Sequence, residues 1–180
     1  KGIVTIVEIM GRNAGWLTGA AALSKCEDCD GPDMIYLPEV TFDLADFKDK
    51  VQKLLKEKTS VVVAVSEGIR TAEGKYVCEL GNSADFVDAF GHKQLSGTAA
   101  YLAHYIAAEL GAKTRSIELS TLQRAGSHLA SRVDILEAYQ VGGAAVKAAD
   151  EGDSGMMVTL ERISEDPYQC QTAVKNVHKI

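Results

Sequence analysis

Short runs of β-branched residues alternate with helical stretches along the chain. The most continuous apolar runs, Ile3 to Ile9 and Val61 to Val65, have the length of buried strands. Between them, Leu44 to Leu55 carries apolar residues at helical spacing, and Asp43 precedes it as an N-cap. Strands that alternate with helices are typical of parallel sheets covered by helices. The pattern therefore predicts an α/β fold, a three-layer αβα domain with a mainly parallel sheet.

The same alternation continues in the second half of the chain. Further helices and strands are predicted at Gly97–Leu110, Thr114–Leu119, Ala130–Ala149 and Met156–Leu160, the last followed by a polar tail. Residues 70–95 have no clean period and are interpreted as a long excursion with a hairpin around Lys75–Val77. No repeat or linker interrupts the pattern, so residues 1–180 are expected to form a single domain.

The composition excludes several classes of protein. Nineteen basic and 25 acidic residues give a net charge of −6, which argues against a protein held to nucleic acid by bulk charge. No apolar run approaches the roughly 18 residues that span a bilayer, so no membrane partner is expected. A protein without a signal peptide is expected, and with it a cytoplasmic location. Because Lys1 is not an initiator Met, a piece of a longer protein is expected.

Four cysteines, Cys26, Cys29, Cys78 and Cys170, offer little sign of a metal site. Cys26 and Cys29 form a C-x-x-C pair, but no second pair of ligands completes a zinc site. The pair also follows a helical pattern, whereas a redox C-x-x-C lies between a strand and a helix. Ordinary reduced thiols are expected, without metal or disulfide.

Three polar segments follow predicted strands, where open α/β sheets bind their ligands. In Met10–Gly15, M-G-R-N-A-G, glycines let backbone N–H groups approach an anion, and Arg12 adds a planar donor fork. Glu67, just after a buried strand, is placed to accept hydrogen bonds from sugar hydroxyls. Taken alone, the first segment is equally consistent with a tight turn bearing a surface arginine, and the second with a loop cap.

The third segment runs from Arg115 to His128 and carries a second arginine, Arg124. Two arginines and a histidine so close together in an acidic chain indicate an anion clamp. Taken singly, Arg124 remains equally consistent with a surface residue, and His128 with a turn or core histidine. The three segments together predict a sugar-phosphate site.

The residues at these positions resemble the phosphofructokinase family. The resemblance covers the whole chain through Val7–Trp16 (VEIMGRNAGW), Tyr36–Val40 (YLPEV), Val63–Gly68 (VAVSEG), Arg115 and Gln123-Arg124. No one of these motifs is specific, but their combination is. The resemblance implies a domain that binds fructose 6-phosphate.

Roles are carried over position by position from this resemblance. It implies that Met10, Gly11 and Arg12 contact the sugar near the transferred phosphoryl group, with Arg12 meeting the charge of the transition state. It further implies that Glu67 holds sugar hydroxyls and that Arg124 binds the 6-phosphate.

Arg115 matches an arginine that reaches into a neighbouring subunit's site, which implies a homodimer or homotetramer. Thr121 stands where the family often has His or Tyr, so its hydroxyl offers a weaker contact to substrate. A basic residue that often precedes the M-G-R strand falls near Ile3, where Lys1 is the only nearby cation. These departures weaken the expectation that a residue from a neighbouring subunit helps to bind the phosphate.

The family's glycine-rich donor loop and T-I-D-N-D catalytic segment do not occur in these 180 residues. The chain therefore resembles the C-terminal half of the enzyme, expected to be inactive alone, with Mg²⁺ bound mainly by the other half. Segments such as Asn13–Trp16 and Gly155–Leu160 are most similar to the pyrophosphate-dependent branch. An ATP-dependent enzyme, a non-catalytic sugar-phosphate sensor and a generic α/β interaction module remain alternatives.

Overall fold

Two compact units make up the chain, the first ending at Ala125 and the second beginning at Gly126. The computed structural model describes residues 2–81 and 97–180. No composition change or linker marks the division at Ala125. That residues 1–180 together form one sugar-phosphate-binding domain stays a prediction.

A four-stranded parallel sheet forms the centre of the first unit. Its strands are β1 (Ile3–Ile9), β2 (Met34–Tyr36), β3 (Ser60–Ser66) and β4 (Lys113–Glu118), in the order β2-β3-β1-β4. The register places Ile9 opposite Ser66 and Glu8 opposite Glu118, so three strands end at the same edge. The expected α/β fold with a mainly parallel sheet is confirmed.

Helices accompany the strands, and local signals fix some of their ends. They are α1 (Trp16–Ala20), continued by a 3-10 turn at Ala21–Ser24, α2 (Leu44–Glu57), α3 (Thr98–Leu110) and α4 (Ser120–Arg124). The Asp43 carboxylate caps α2 by accepting from the backbone N–H groups of Ala45 and Asp46. Gly111 ends α3 in the left-handed conformation, with φ 59°.

One face of the sheet packs against α2 and α3. Alternate residues of the two central strands point toward these helices, as the period of two in a strand requires. The fully buried residues of this core include Val4, Ile6, Val61, Val63, Val65, Phe47, Val51, Leu102 and Ile106. This packing fixes the strand ends, where the polar segments follow.

In the second unit, α5 (Arg132–Asp150) precedes an antiparallel hairpin of β5 (Met156–Glu165) and β6 (Tyr168–Asn176). The Ser131 hydroxyl caps α5 by accepting from the Asp134 N–H. The prediction of a polar tail after a short last strand was wrong. An antiparallel ladder pairs backbone groups whatever the side chains are, so a polar segment can form a strand.

Part of the excursion predicted at residues 70–95 lies outside the described residues. Within them, Arg70 pairs with Tyr76 across a short turn, and a 3-10 turn follows at Val77–Leu80. Across the described ranges, no helix combines the length and apolar character needed to cross a bilayer.

Candidate functional site

The turn after β1 owes its shape to two glycines. Gly11 has φ 149°, and a Cβ there would stand 2.8 Å from the Ala14 carbonyl oxygen. At the end of the turn, the Gly15 N–H donates to Glu39 Oε1 at 2.6 Å. The M-G-R turn therefore folds tightly between Gly11 and Ala14 and is held by Glu39 of the P-E segment.

The residues after β3 fasten this turn from the neighbouring strand. Ser66 Oγ donates to the Gly11 carbonyl at 2.6 Å and accepts from the Gly68 N–H at 2.9 Å. The Glu67 N–H continues the ladder to the Ile9 carbonyl at 3.1 Å. The Glu67 carboxylate then accepts from the Gly11 N–H at 3.2 Å, so Glu67 faces the turn.

Gly68 lets the two strand ends meet. A Cβ at Gly68 would overlap the Arg12 carbonyl oxygen and stand 2.6 Å from the Arg12 carbonyl carbon. Only a residue without a side chain allows this approach. The S-E-G sequence thus sets the position of the Arg12 backbone as well as supplying Glu67.

A third element, α4, is tied to the same turn by Gln123. Its Oε1 accepts from the Met10 N–H at 2.8 Å, and its Nε2 donates to the Met10 carbonyl at 3.4 Å. The Leu119 N–H donates to the Glu8 carbonyl at 3.2 Å just before α4. Sequence analysis gave Gln123 no role, although its place beside Arg124 was a usable signal.

These contacts border an open cavity of about 360 Å³ at the carboxyl ends of the strands. Its lining comes from all three segments and consists of Met10, Gly11, Arg12, Leu17, Glu67, Gln123 and Arg124. Two guanidinium groups and one carboxylate thus line a hollow of the size that holds small-molecule ligands. Such a set suits an anion that also carries hydroxyl groups.

Three other predicted residues do not line this cavity. Arg115 is exposed on the edge strand β4, opposite Thr5 and hence about 16 Å along the sheet from Met10. Thr121 is exposed on α4, and His128 is exposed in the second unit. The contact of Arg115 with a neighbouring subunit and that of Thr121 with substrate stay predictions.

Glu8 lies beneath the site and was missed by sequence analysis, although an acid in an apolar strand is itself a signal. The side chain is only 6% exposed and accepts from the Ala99 N–H at 2.8 Å, at the start of α3. Burial raises the pKa of Glu8 to about 7, and the nearby Glu118 and Glu67 act in the same direction. The Thr98 hydroxyl donates to the Glu67 carbonyl at 3.4 Å, which connects the start of α3 to the site.

Magnesium ligands do not gather in the described part of the chain. No three His, Cys, Asp or Glu side chains converge there. Glu67 supplies the carboxylate of the cavity lining and already accepts a backbone hydrogen bond from Gly11. The described residues therefore offer no set of ligands that would hold Mg²⁺ by themselves.

The chain is similar to known proteins over nearly its whole length. The chain matches the family described as phosphofructokinase over residues 2–149. A Xanthomonas campestris relative named pyrophosphate–fructose 6-phosphate 1-phosphotransferase is 41% identical over 177 residues, 98% of this chain and 42% of its own length. A Streptomyces coelicolor relative named ATP-dependent 6-phosphofructokinase 2 is 35% identical, over 87% of this chain and 43% of its own length.

A solved structure agrees with these relatives. The crystal structure of pyrophosphate-dependent phosphofructokinase from Nitrosospira multiformis superposes with a TM-score of 0.69 at 32% identity. The superposition covers 98% of this chain and 40% of that one. The chain thus spans about two fifths of the length of the proteins it matches.

Proposed function

The chain belongs to the phosphofructokinase family, and from that membership we propose that it is the part of a longer phosphofructokinase that binds fructose 6-phosphate. One observation carries the proposal: Arg12, Glu67 and Arg124, from three distant segments, line one cavity. Fructose 6-phosphate offers the phosphate and hydroxyl groups that these side chains suit. The complete enzyme transfers a phosphoryl group to the 1-hydroxyl, giving fructose 1,6-bisphosphate.

Five of the cavity residues have a separate part in this proposal. Arg124 binds the 6-phosphate, Glu67 accepts from sugar hydroxyls, and Met10 and Gly11 form the floor beside the reacting end. Arg12 neutralises charge that develops on the transferred group, so its contact strengthens in the transition state. Phosphoryl transfer needs mainly positioning and charge neutralisation, and the catalytic base and donor site belong to the rest of the enzyme.

Pyrophosphate is the proposed donor. The Xanthomonas relative carries pyrophosphate in its name, and it is more similar to this chain than the Streptomyces relative that carries ATP. ATP remains the second candidate because that relative still matches 87% of the chain. In both cases Mg²⁺ is proposed to be held by residues outside this chain.

A homo-oligomer, a dimer or a tetramer, is part of the same proposal. The exposure of Arg115 on the edge strand β4 supports it, because this arginine is available to a second copy of the chain. The cytoplasm is the proposed location.

Titration calorimetry of the complete enzyme with fructose 6-phosphate tests the binding proposal. We expect binding heat with fructose 6-phosphate, much weaker binding of unphosphorylated fructose, and a large loss in Arg124→Ala. Lys53→Ala, which removes an exposed cation on α2, is the matched control and should bind like wild type. Absence of binding heat would favour a generic interaction module instead.

Steady-state kinetics of the complete enzyme tests the roles of the two arginines. Arg12→Ala should mainly lower kcat, and Arg124→Ala should mainly raise the KM for fructose 6-phosphate. The reverse assignment would contradict the roles. Activity with pyrophosphate but not ATP supports the proposed donor, and binding without any transfer would instead support a sugar-phosphate sensor.

A further inference from the structure

The loop between the 3-10 turn at Ala21–Ser24 and β2 brings two cysteines directly opposite each other. The Cys26 N–H donates to the Cys29 carbonyl at 2.9 Å, and the Cys29 N–H donates back to the Cys26 carbonyl at 3.3 Å. Together these bonds form an isolated antiparallel bridge. Both cysteines are exposed and their thiols are free.

This backbone pairing matches what a disulfide requires. Residues that exchange both hydrogen bonds in an antiparallel pair have Cα atoms about 5.5 Å apart and side chains on one face. Disulfides bridge Cα atoms separated by roughly 4.4–6.8 Å. A bond between Cys26 and Cys29 therefore requires side-chain rotation and little movement of the backbone.

A metal does not account for the pair within the described residues. The Cys26 thiol donates to Asp28 Oδ1 at 3.2 Å, but no group of three potential ligands forms there. The other two cysteines are placed differently. Cys78 is buried in the first unit and Cys170 is half-buried in the second.

We propose that Cys26 and Cys29 form a reversible dithiol–disulfide site that reacts with small-molecule disulfides of the glutathione class. In the first step, one cysteine thiolate attacks a sulfur of oxidised glutathione, forming a mixed disulfide and releasing one glutathione thiolate. The second cysteine then attacks its partner's sulfur and releases the second glutathione. The cysteines lose two electrons and two protons, and oxidised glutathione becomes two reduced molecules.

The site is separate from the sugar-phosphate cavity. Neither cysteine lines that cavity, so the proposal does not depend on the proposed function. The second step is favoured because it occurs within one loop, where effective concentrations reach the millimolar range or above. The folded pairing adds to this by holding the two residues opposite each other.

Mass spectrometry after equilibration in glutathione buffers tests the proposal. Trypsin cleavage after Lys25 and Lys48 leaves both cysteines on one peptide. The internal disulfide makes this peptide lighter by two hydrogens. With reduced glutathione at about 0.1 mM, the amount of this lighter peptide should exceed the amount of the glutathione adduct by more than about tenfold. Cys26→Ser and Cys29→Ser should instead retain the adduct, and Cys78→Ser should behave like wild type.

Two outcomes would overturn the proposal. One is a wild-type protein that retains as much glutathione adduct as the two single serine variants. A wild-type protein whose cysteines stay reduced in buffers that add glutathione to the variants would count equally against it. The other is an excess of the internal disulfide that is unchanged when the chain is denatured in guanidinium chloride, because the folded pairing would then contribute nothing.

Discussion

At the scale of single residues, Glu8 links the stability of the fold to pH. Its pKa rises from 4.5 to about 7 on folding, so the folded chain holds this proton more tightly than the unfolded chain. The stabilisation is therefore complete below pH 4.5 and is lost as the pH rises toward 7. The difference between these two pKa values corresponds to about 3 kcal/mol of unfolding free energy. Because the side chain is almost fully buried, solvent screening does not reduce this figure.

Denaturant unfolding at several pH values measures this effect. Glu8→Gln should reduce the fall in unfolding free energy between pH 4.5 and 7, because the glutamine side chain does not ionise. Its amide oxygen can still accept the hydrogen bond from the Ala99 N–H. Glu57→Gln, which changes an exposed glutamate at the end of α2, should follow the wild-type curve. Parallel curves for wild type and Glu8→Gln would contradict the assignment.

Gly68 determines how closely the two strand ends meet. Gly68→Ala should cost about 1–3 kcal/mol of unfolding free energy, because its Cβ would displace the Arg12 backbone. The same displacement should weaken fructose 6-phosphate binding. Gly19→Ala is the control, because its Cβ would make only an ordinary contact 3.9 Å from Leu37 Cδ2. Equal effects of the two substitutions on binding would argue against this role of Gly68.

At the scale of elements, Gln123 joins α4 to the end of β1. Gln123→Met keeps the volume but removes both hydrogen bonds to Met10, so α4 should hold the neighbouring Arg124 less firmly at the cavity. The dissociation constant for fructose 6-phosphate should rise roughly tenfold, as expected for the loss of this half-buried pair of hydrogen bonds. Gln171→Met, on the exposed surface of β6, should leave binding unchanged.

A double variant separates positioning by Gln123 from a general loss of stability. If Gln123 acts through Arg124, adding Gln123→Met to Arg124→Ala should weaken binding much less than Gln123→Met does alone. Fully additive effects, measured by calorimetry, would contradict this coupling.

The same elements show what the sequence could and could not predict. The cap at Asp43 and the stop at Gly111 were predictable because each depends on residues within one turn. The Gln123 contact with Met10 spans 113 positions, and the Glu8 contact with Ala99 spans 91. The order of the strands in the sheet determines which distant residues meet. No local pattern in the sequence reveals that order. The convergence of Arg12, Glu67 and Arg124 was predictable because parallel strands end at a common edge.

At the scale of the whole chain, the net charge of −6 carried by these 180 residues opposes an anionic ligand. For the proposed fructose 6-phosphate ligand, we expect the attraction to come from the two arginines of the cavity, acting over a distance shorter than the screening length of about 8 Å at physiological salt. Added salt weakens the local attraction and also screens the long-range repulsion. The balance between these two effects depends on whether the local cations are present.

The salt dependence of binding should consequently change when one of these cations is removed. In the wild type, we expect the dissociation constant for fructose 6-phosphate to rise as salt increases from about 0.05 to 0.2 M. In Arg124→Ala, the rise should become shallower or reverse, because more of the remaining effect is repulsion by the net negative charge. Lys53→Ala makes the same change in net charge away from the cavity, and its slope should match the wild type. If both variants lost the slope equally, net charge alone would explain the salt effect, and a local phosphate contact by Arg124 would be contradicted.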